Sequence, residues 1–326
     1  MDEKIYIWAP SNSAIDLTEE SREYGFNRLK TWGKKVEIEN HIDRDYLNTK
    51  ISQKTDNIKF LRKISNKKSA TIIPVFGGYT SNILIDELKK LHFDSNILFC
   101  GKSDLTVLLN ALYTIFNIKS VYGVDFAQLC SPNMSLEDEK IFYDAINRKK
   151  IVIKYPKYFN DGFWYISKRK NYLNINWKIE NLNQNPIKGV AIGGNLESII
   201  TLTGTEFLPI FKDKIVMLES VCDISPSKFV RDLKHLNMAS DLNMAKTIVF
   251  GKFAPLSPLN KHEIIYPLIK DYVGLINIPM VFNVDFSHTE PSYPFYIGGD
   301  IQINTEKKLL KHTGKDYLIF YWIFFL

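Results

Sequence analysis

The chain has 326 residues, of which 45% are hydrophobic and 24% charged. That composition excludes a disordered chain, a collagen-like fibre and a disulfide-stapled miniprotein, and the length suggests roughly two domains. The net charge is +6, but the basic residues are scattered without an arginine-rich block, so no nucleic-acid partner is expected.

Lys4 to Pro10 (KIYIWAP) reads as a buried strand ending in a turn. No basic start and long apolar core precede it, so no secretory signal is expected. Thr18 to Trp32 has helical spacing, with Phe26 and Leu29 on one face. Lys35 to Glu39 alternates like a strand, and a Lys-rich helix is predicted over Thr49 to Lys68. Ala70 to Phe76 (ATIIPVF) is a strand, although Pro74 argues against a fully bonded central one. Gly77-Gly78 ends it, and Ser81 to Leu91 reads as a helix. Asn96 to Cys100 is a strand, followed by Gly101 and a helix through Tyr113. This alternation predicts an α/β fold with a mostly parallel, Rossmann-like or flavodoxin-like sheet over residues 1–150. No G-x-G-x-x-G follows any strand, so a dinucleotide fingerprint is missing.

From Ile151 to Trp177 aromatic and basic residues crowd together without periodicity. Residues 151–182 therefore read as a linker with irregular β structure. A second α/β domain is predicted over 183–326. Its strands are Lys188 to Ile192, Lys214 to Leu218, Thr247 to Phe250 and Pro279 to Val284. Gly193-Gly194-Asn195 reads as a turn, with helices over Leu196 to Leu202, Pro226 to Asn237 and Lys261 to Tyr272. The tail 317–326 (YLIFYWIFFL) is apolar throughout but spans only half a bilayer as a helix. It reads as a final packed strand, a membrane-surface or aggregation-prone tail, or the product of a reading-frame change. No stretch reaches the ~20 apolar residues of a membrane span. Cys100, Cys130 and Cys222 are far apart and form no CxxC, which fits a reduced, cytoplasmic compartment.

Some residues have two local readings. Ser81 follows a strand and two glycines at a helix start, so it is either a nucleophile on an elbow or a helix cap. His288 lies in a loop after a strand, where it is either a general base or an ordinary histidine. Glu219 ends an apolar strand, either solvated or orienting a histidine. Asn195 is a plausible cap for the helix after it. Gly101-Lys102-Ser103-Asp104 repeats the strand–turn–helix pattern, with Ser103 or Asp104 as cap. His41, Asp43 and Asp45 form a loose cluster, and no HExxH occurs, so no metal centre is expected.

Several segments carry a resemblance in order: KIYIWAPSNSA, FGGYTSNILIDEL, ILFCGKSDLTVLLNALY, GVAIGGNLESIITLTGTEFLP, KIVMLES, TIVFGKF and PMVFNVDFSHTEPSYPFYIGG. Together they resemble the serine LD-carboxypeptidases and, among them, the microcin C immunity protein (MccF-like) branch. The resemblance implies a Ser–Glu–His triad of Ser81, Glu219 and His288 at a domain interface. Backbone N–H groups of Gly78 and Asn82 would form the oxyanion hole. Asn195 would touch substrate, and Trp164 in the inter-domain segment would stack on a nucleobase, with Lys168 or Arg169 meeting phosphate; alternatively these aromatics pack the loop onto the body. Asp104 and Thr106 would brace the elbow helix. The resemblance further implies a homodimer without metal or organic cofactor. The reaction would be hydrolysis of an aminoacyl- or peptidyl-nucleotide amide, conferring microcin immunity, or release of terminal D-alanine from a muropeptide. A ligand-binding protein without catalysis is the remaining reading. The chain departs from the family pattern at Gly101-Lys102-Ser103-Asp104, where GYSD is frequent, at Ser220, where an acid is frequent, and at Ser287, where glycine is frequent.

Overall fold

A computed structural model describes residues 4–132, 134–161 and 170–313. Trp164, Lys168, Arg169 and the tail 317–326 lie outside the described residues.

Short apolar runs in the first third form parallel strands: β1 (Lys4–Trp8), β2 (Lys35–Ile38), β3 (Ala70–Pro74), β4 (Ile97–Gly101) and β5 (Ser120–Tyr122). All but β2 are almost wholly buried, as expected of strands covered by helices on both faces. Helices Glu19–Thr31, Lys54–Ser65 and Thr106–Phe116 connect them. Thr18 starts the first helix by accepting the Ser21 N–H on its hydroxyl. The strand order is β2-β1-β3-β4-β5, so chain direction across the sheet reverses between β1 and β3. Such a switch point opens a crevice at the carboxyl ends of the strands. β3 is central despite Pro74, because the proline occupies its last position.

The segment after residue 150 is more ordered than its composition suggests. β6 (Ile151–Lys154) joins a second sheet, β7 (Tyr158–Phe159) pairs with β8 (Tyr172–Leu173), and β9 (Lys178–Glu180) edges that second sheet. The centre of the second sheet is parallel: β10 (Ile187–Asn195), β11 (Ile215–Glu219), β12 (Thr247–Gly251) and β13 (Met280–Val284). The expected turn at Gly193-Gly194-Asn195 is absent, and these residues continue β10. Gly193 and Gly194 hold φ of +112° and +135°, and a Cβ on Gly193 would lie 2.2 Å from the Met217 carbonyl oxygen. Glycine here permits close strand approach instead of chain reversal.

Besides β5, three strands near the end of the chain were not anticipated: β14 (Phe295–Ile297), β15 (Asp300–Asn304) and β16 (Leu309–Thr313). β15 and β16 extend the second sheet beyond β10, whereas β14 returns to the first sheet and pairs antiparallel with β5. The helix Thr106–Phe116 is also clamped to β10. Asn110 donates to the Gly193 carbonyl (2.8 Å) and accepts the Gly193 N–H (3.2 Å), while the Thr106 hydroxyl accepts the Asn195 N–H (2.8 Å). One continuous core runs through both sheets, from Ile7 and Leu109 to Ile192 and Phe295.

Candidate active site

The carboxyl ends of parallel strands from both sheets converge. Glu219 is the last residue of β11 and is buried. His288 lies in the loop after β13, with its side chain 21% exposed. Its Nδ1 is 2.6 Å from Glu219 Oε2, and Tyr122 from β5 donates its phenol to Oε1 at 2.6 Å. Burial alone would raise the Glu219 carboxyl, but the His288 charge and these two hydrogen bonds outweigh it and hold it below the usual carboxylate range. With Nδ1 bound to the carboxylate, Nε2 is the nitrogen left for proton transfer. Close approach of the histidine loop depends on Gly251, where an added Cβ would lie 2.7 Å from Glu219 Cβ and 2.9 Å from Ser287 Cβ. The loop is held from below: Ser287 donates to the Lys252 carbonyl, Lys252 pairs with Asp285 and also donates to Asn174, and the Cys222 Sγ sits 2.9 Å from the His288 carbonyl oxygen.

Ser103 occupies the sharp turn between β4 and the helix Thr106–Phe116, at a φ of +57°. That left-handed conformation is uncommon for a serine, and such outliers cluster at functional sites. Its N–H donates to the Tyr122 phenol at 3.1 Å. A hydrogen-bonded chain thus runs from Ser103 through Tyr122 and Glu219 to His288. The Gly77 backbone presses on the serine, because a Cβ there would lie 2.8 Å from Ser103 Cβ and 3.3 Å from its Oγ.

Ser81 has a different setting. It is fully buried, donates its hydroxyl to the Asp104 carbonyl at 2.7 Å, and gives its N–H to the Asp104 carboxylate at 2.8 Å. The expectation of a Ser81 nucleophile is therefore corrected: its hydroxyl is enclosed and committed to the backbone of the Ser103 turn, which it braces. The structure brings Glu219 and His288 together but does not join Ser81 to them. Asp104 holds the start of the helix after Ser81 as expected, whereas the Thr106 hydroxyl instead accepts the Asn195 N–H of β10. Gly78, at φ +149°, packs on Ser11 and Asn12, beside the Ser11 hydroxyl that accepts the Tyr79 and Thr80 N–H groups. Asn82 lies on the exposed side of the short turn Ser81–Leu84. Asn195 is buried opposite Glu219 in the strand register and caps the next helix through the Ser198 N–H (2.9 Å).

The sequence reading missed Tyr122 and Glu197. Tyr122 carries no motif, and only the pairing of β5 with its neighbours reveals its reach to Glu219. Glu197 accepts from Asn195 Nδ2 (2.9 Å) and the Val221 N–H (3.3 Å). Burial and the Glu219 charge push its carboxyl up to about 7.

Comparison with known proteins bears on this geometry. Residues 5–123 match the LD-carboxypeptidase N-terminal domain and residues 188–303 its C-terminal domain. A "Putative carboxypeptidase" of Treponema pallidum is 25% identical over 311 residues, 94% of this chain and 91% of that protein. The microcin C7 self-immunity protein MccF of Escherichia coli is 25% identical over 285 residues, 80% of this chain and 78% of that one. The crystal structure of an MccF-like protein from Bacillus anthracis superimposes with a TM-score of 0.84 at 27% identity, covering 96% of this chain and 97% of that one. With both domains matched in order around this site, the chain belongs to the LD-carboxypeptidase family, as a hydrolase of the serine peptidase type.

Proposed function

We propose that the protein hydrolyses an amide bond of a small peptide, with Ser103 as nucleophile, His288 as general base and Glu219 as the acid that orients it. The observation that carries this reading is the hydrogen-bonded chain from the strained Ser103 turn to the Glu219–His288 pair. In this reading His288 Nε2 takes the Ser103 proton as Oγ attacks the carbonyl carbon. Glu219 stabilises the imidazolium that forms, and Tyr122 fixes the carboxylate. The tetrahedral oxyanion is received by the N–H of Asp104, the residue after the nucleophile, together with that of Gly78 from the loop after β3. His288 then protonates the departing amine, and water repeats the sequence on the acyl-enzyme.

Family membership and the curated carboxypeptidase names favour removal of a terminal residue from a peptide with an L,D bond. A second reading, cleavage of an aminoacyl- or peptidyl-nucleotide amide, is favoured by solved relatives of the same fold. MccF was solved with aspartyl sulfamoyl adenosine, and its structure has a TM-score of 0.81 to this chain at 19% identity, covering 98% and 97% of the two chains. A homodimer and a cytoplasmic location belong to the same proposal. Incubating the purified protein with a muropeptide tetrapeptide and with an aspartyl sulfamoyl adenosine, then weighing the products, chooses between them. Release of D-alanine supports the first reading, release of aspartate supports the second, and hydrolysis of neither overturns both.

A further inference from the structure

Lys252 directly follows β12, and its side chain has no exposed surface. It grips the chain leading to His288 at three points. Its N–H donates to the Val284 carbonyl at 3.1 Å, its ammonium pairs with the buried carboxylate of Asp285, and its carbonyl accepts the Ser287 hydroxyl. The next residue is His288. The same ammonium donates to Asn174, just after β8, and lies 5.0 Å from the centre of the Phe159 ring in β7. Asn174 closes the triangle by donating to Asp285 at 3.3 Å, and it also donates to the Pro156 carbonyl at 2.7 Å. The β7–β8 hairpin meets the histidine loop at two further points. Asn160 and Glu290 exchange backbone hydrogen bonds of 2.8 and 3.1 Å, and the Cys222 thiol sits 3.1 Å from the Asp161 carbonyl and 2.9 Å from that of His288.

A buried ion pair is a poor source of stability, because taking two charges out of water offsets most of their attraction, and an apolar pair of similar volume is often as stable. What a charged pair supplies is direction, since only one arrangement satisfies both groups. We propose that Lys252 is a positioning residue for the general base. Through Asp285 it fixes the loop that sets His288, and through Asn174 it locks the inter-domain hairpin to that loop, so that the two move as one body. Lys252 acts through these neighbours and not on the reacting atoms. The inference rests on His288 serving as base towards Ser103.

The test separates stability from position. Lys252→Met alone leaves Asp285 buried without its partner and should lower the melting temperature by roughly 10 °C. The double variant Lys252→Met/Asp285→Leu removes both charges and should melt within roughly 5 °C of wild type. Its rate of fluorophosphonate labelling at Ser103 and its kcat on an L,D-tetrapeptide should nevertheless fall by about 10², with KM within about threefold, as for a displacement of about 1 Å at the reacting groups. Asn174→Ala keeps the ion pair and removes only the hairpin link, and labelling should slow by about tenfold at a nearly unchanged melting temperature. A double variant that recovers both melting temperature and labelling rate marks a pair serving stability alone and overturns the proposal. So does a rise in KM with kcat and labelling unchanged. If the double variant does not fold, Asn174→Ala decides alone, and labelling at the wild-type rate overturns the proposal. Failure of the wild-type chain to label at Ser103 overturns the serine-hydrolase reading and this inference with it, an outcome distinct from any behaviour of the variants.

Discussion

Two serines follow two similar strand–turn–helix junctions, and replacing each by alanine separates their roles. Ser103→Ala removes the proposed nucleophile. Single losses in serine triads reduce kcat by about 10⁴–10⁶, and that range is expected here, together with complete loss of fluorophosphonate labelling. Ser81→Ala removes a fully buried hydroxyl that donates to the Asp104 carbonyl at 2.7 Å. The carbonyl is left without that donor, a loss of about 1–3 kcal/mol. At about 2–4 °C per kcal/mol for a large domain, the melting temperature should fall by several degrees. Because the Ser81 N–H still holds the Asp104 carboxylate at 2.8 Å, the turn keeps one of its two braces. Activity should then stay within about tenfold of wild type, since small displacements near the chemistry are costly but not abolishing. Calorimetry and labelling on both variants check the pair. A natively folded Ser81→Ala protein that cannot be labelled, or a Ser103→Ala protein that can, would refute the reasoning.

Tyr122→Phe strips a donor from Glu219 and an acceptor from Ser103, so kcat should fall by about 10–10² with little change in KM; an unchanged kcat means the phenol does not support the pair. Gly251→Ala forces the end of β11 and the histidine loop apart, and a displacement of about 1 Å should reduce kcat by about 10²; full activity in a folded variant contradicts the packing described. Glu197 titrates near 7 in the fold against 4.5 ordinarily, so the native chain holds a proton that the unfolded chain has lost between those values. Stability should therefore decline as pH rises through that window. The melting temperature of Glu197→Gln should gain on that of wild type from pH 4 to 8, and a constant difference refutes the shift.

The strands that could be read directly were the longer parallel ones, the three-residue β5 being missed. ATIIP, IVMLE and MVFNV are buried on both faces and appear as unbroken apolar runs. Gly193 and Gly194 misled because glycine marks both turns and strands that approach another backbone closely, and only the Met217 carbonyl beside them distinguishes the two. β14 is three residues long and pairs with a strand far back in the chain, a contact no local pattern encodes. The meeting of Glu219 and His288 was implied by the resemblance and not by either residue's local pattern; both stand at carboxyl ends of strands in one parallel sheet. The serine was misassigned because the glycine pair lies beside the elbow without being on it: Gly77 touches Ser103 from the neighbouring strand's loop. Whether a hydroxyl is enclosed or presented depends on backbone conformation, and a positive φ at Ser103 has no signature in composition.

β14 makes the histidine loop a tether. Its two anchors are β13 in one sheet and β14 in the other, so any shear between the sheets is transmitted to His288 along a short leash. Neither half of the polypeptide is consequently an exchangeable cassette. A chimera joined within the inter-domain segment would place a foreign strand beside Ser120–Tyr122, and the tyrosine that steadies the acid would inherit whatever register that stranger imposed.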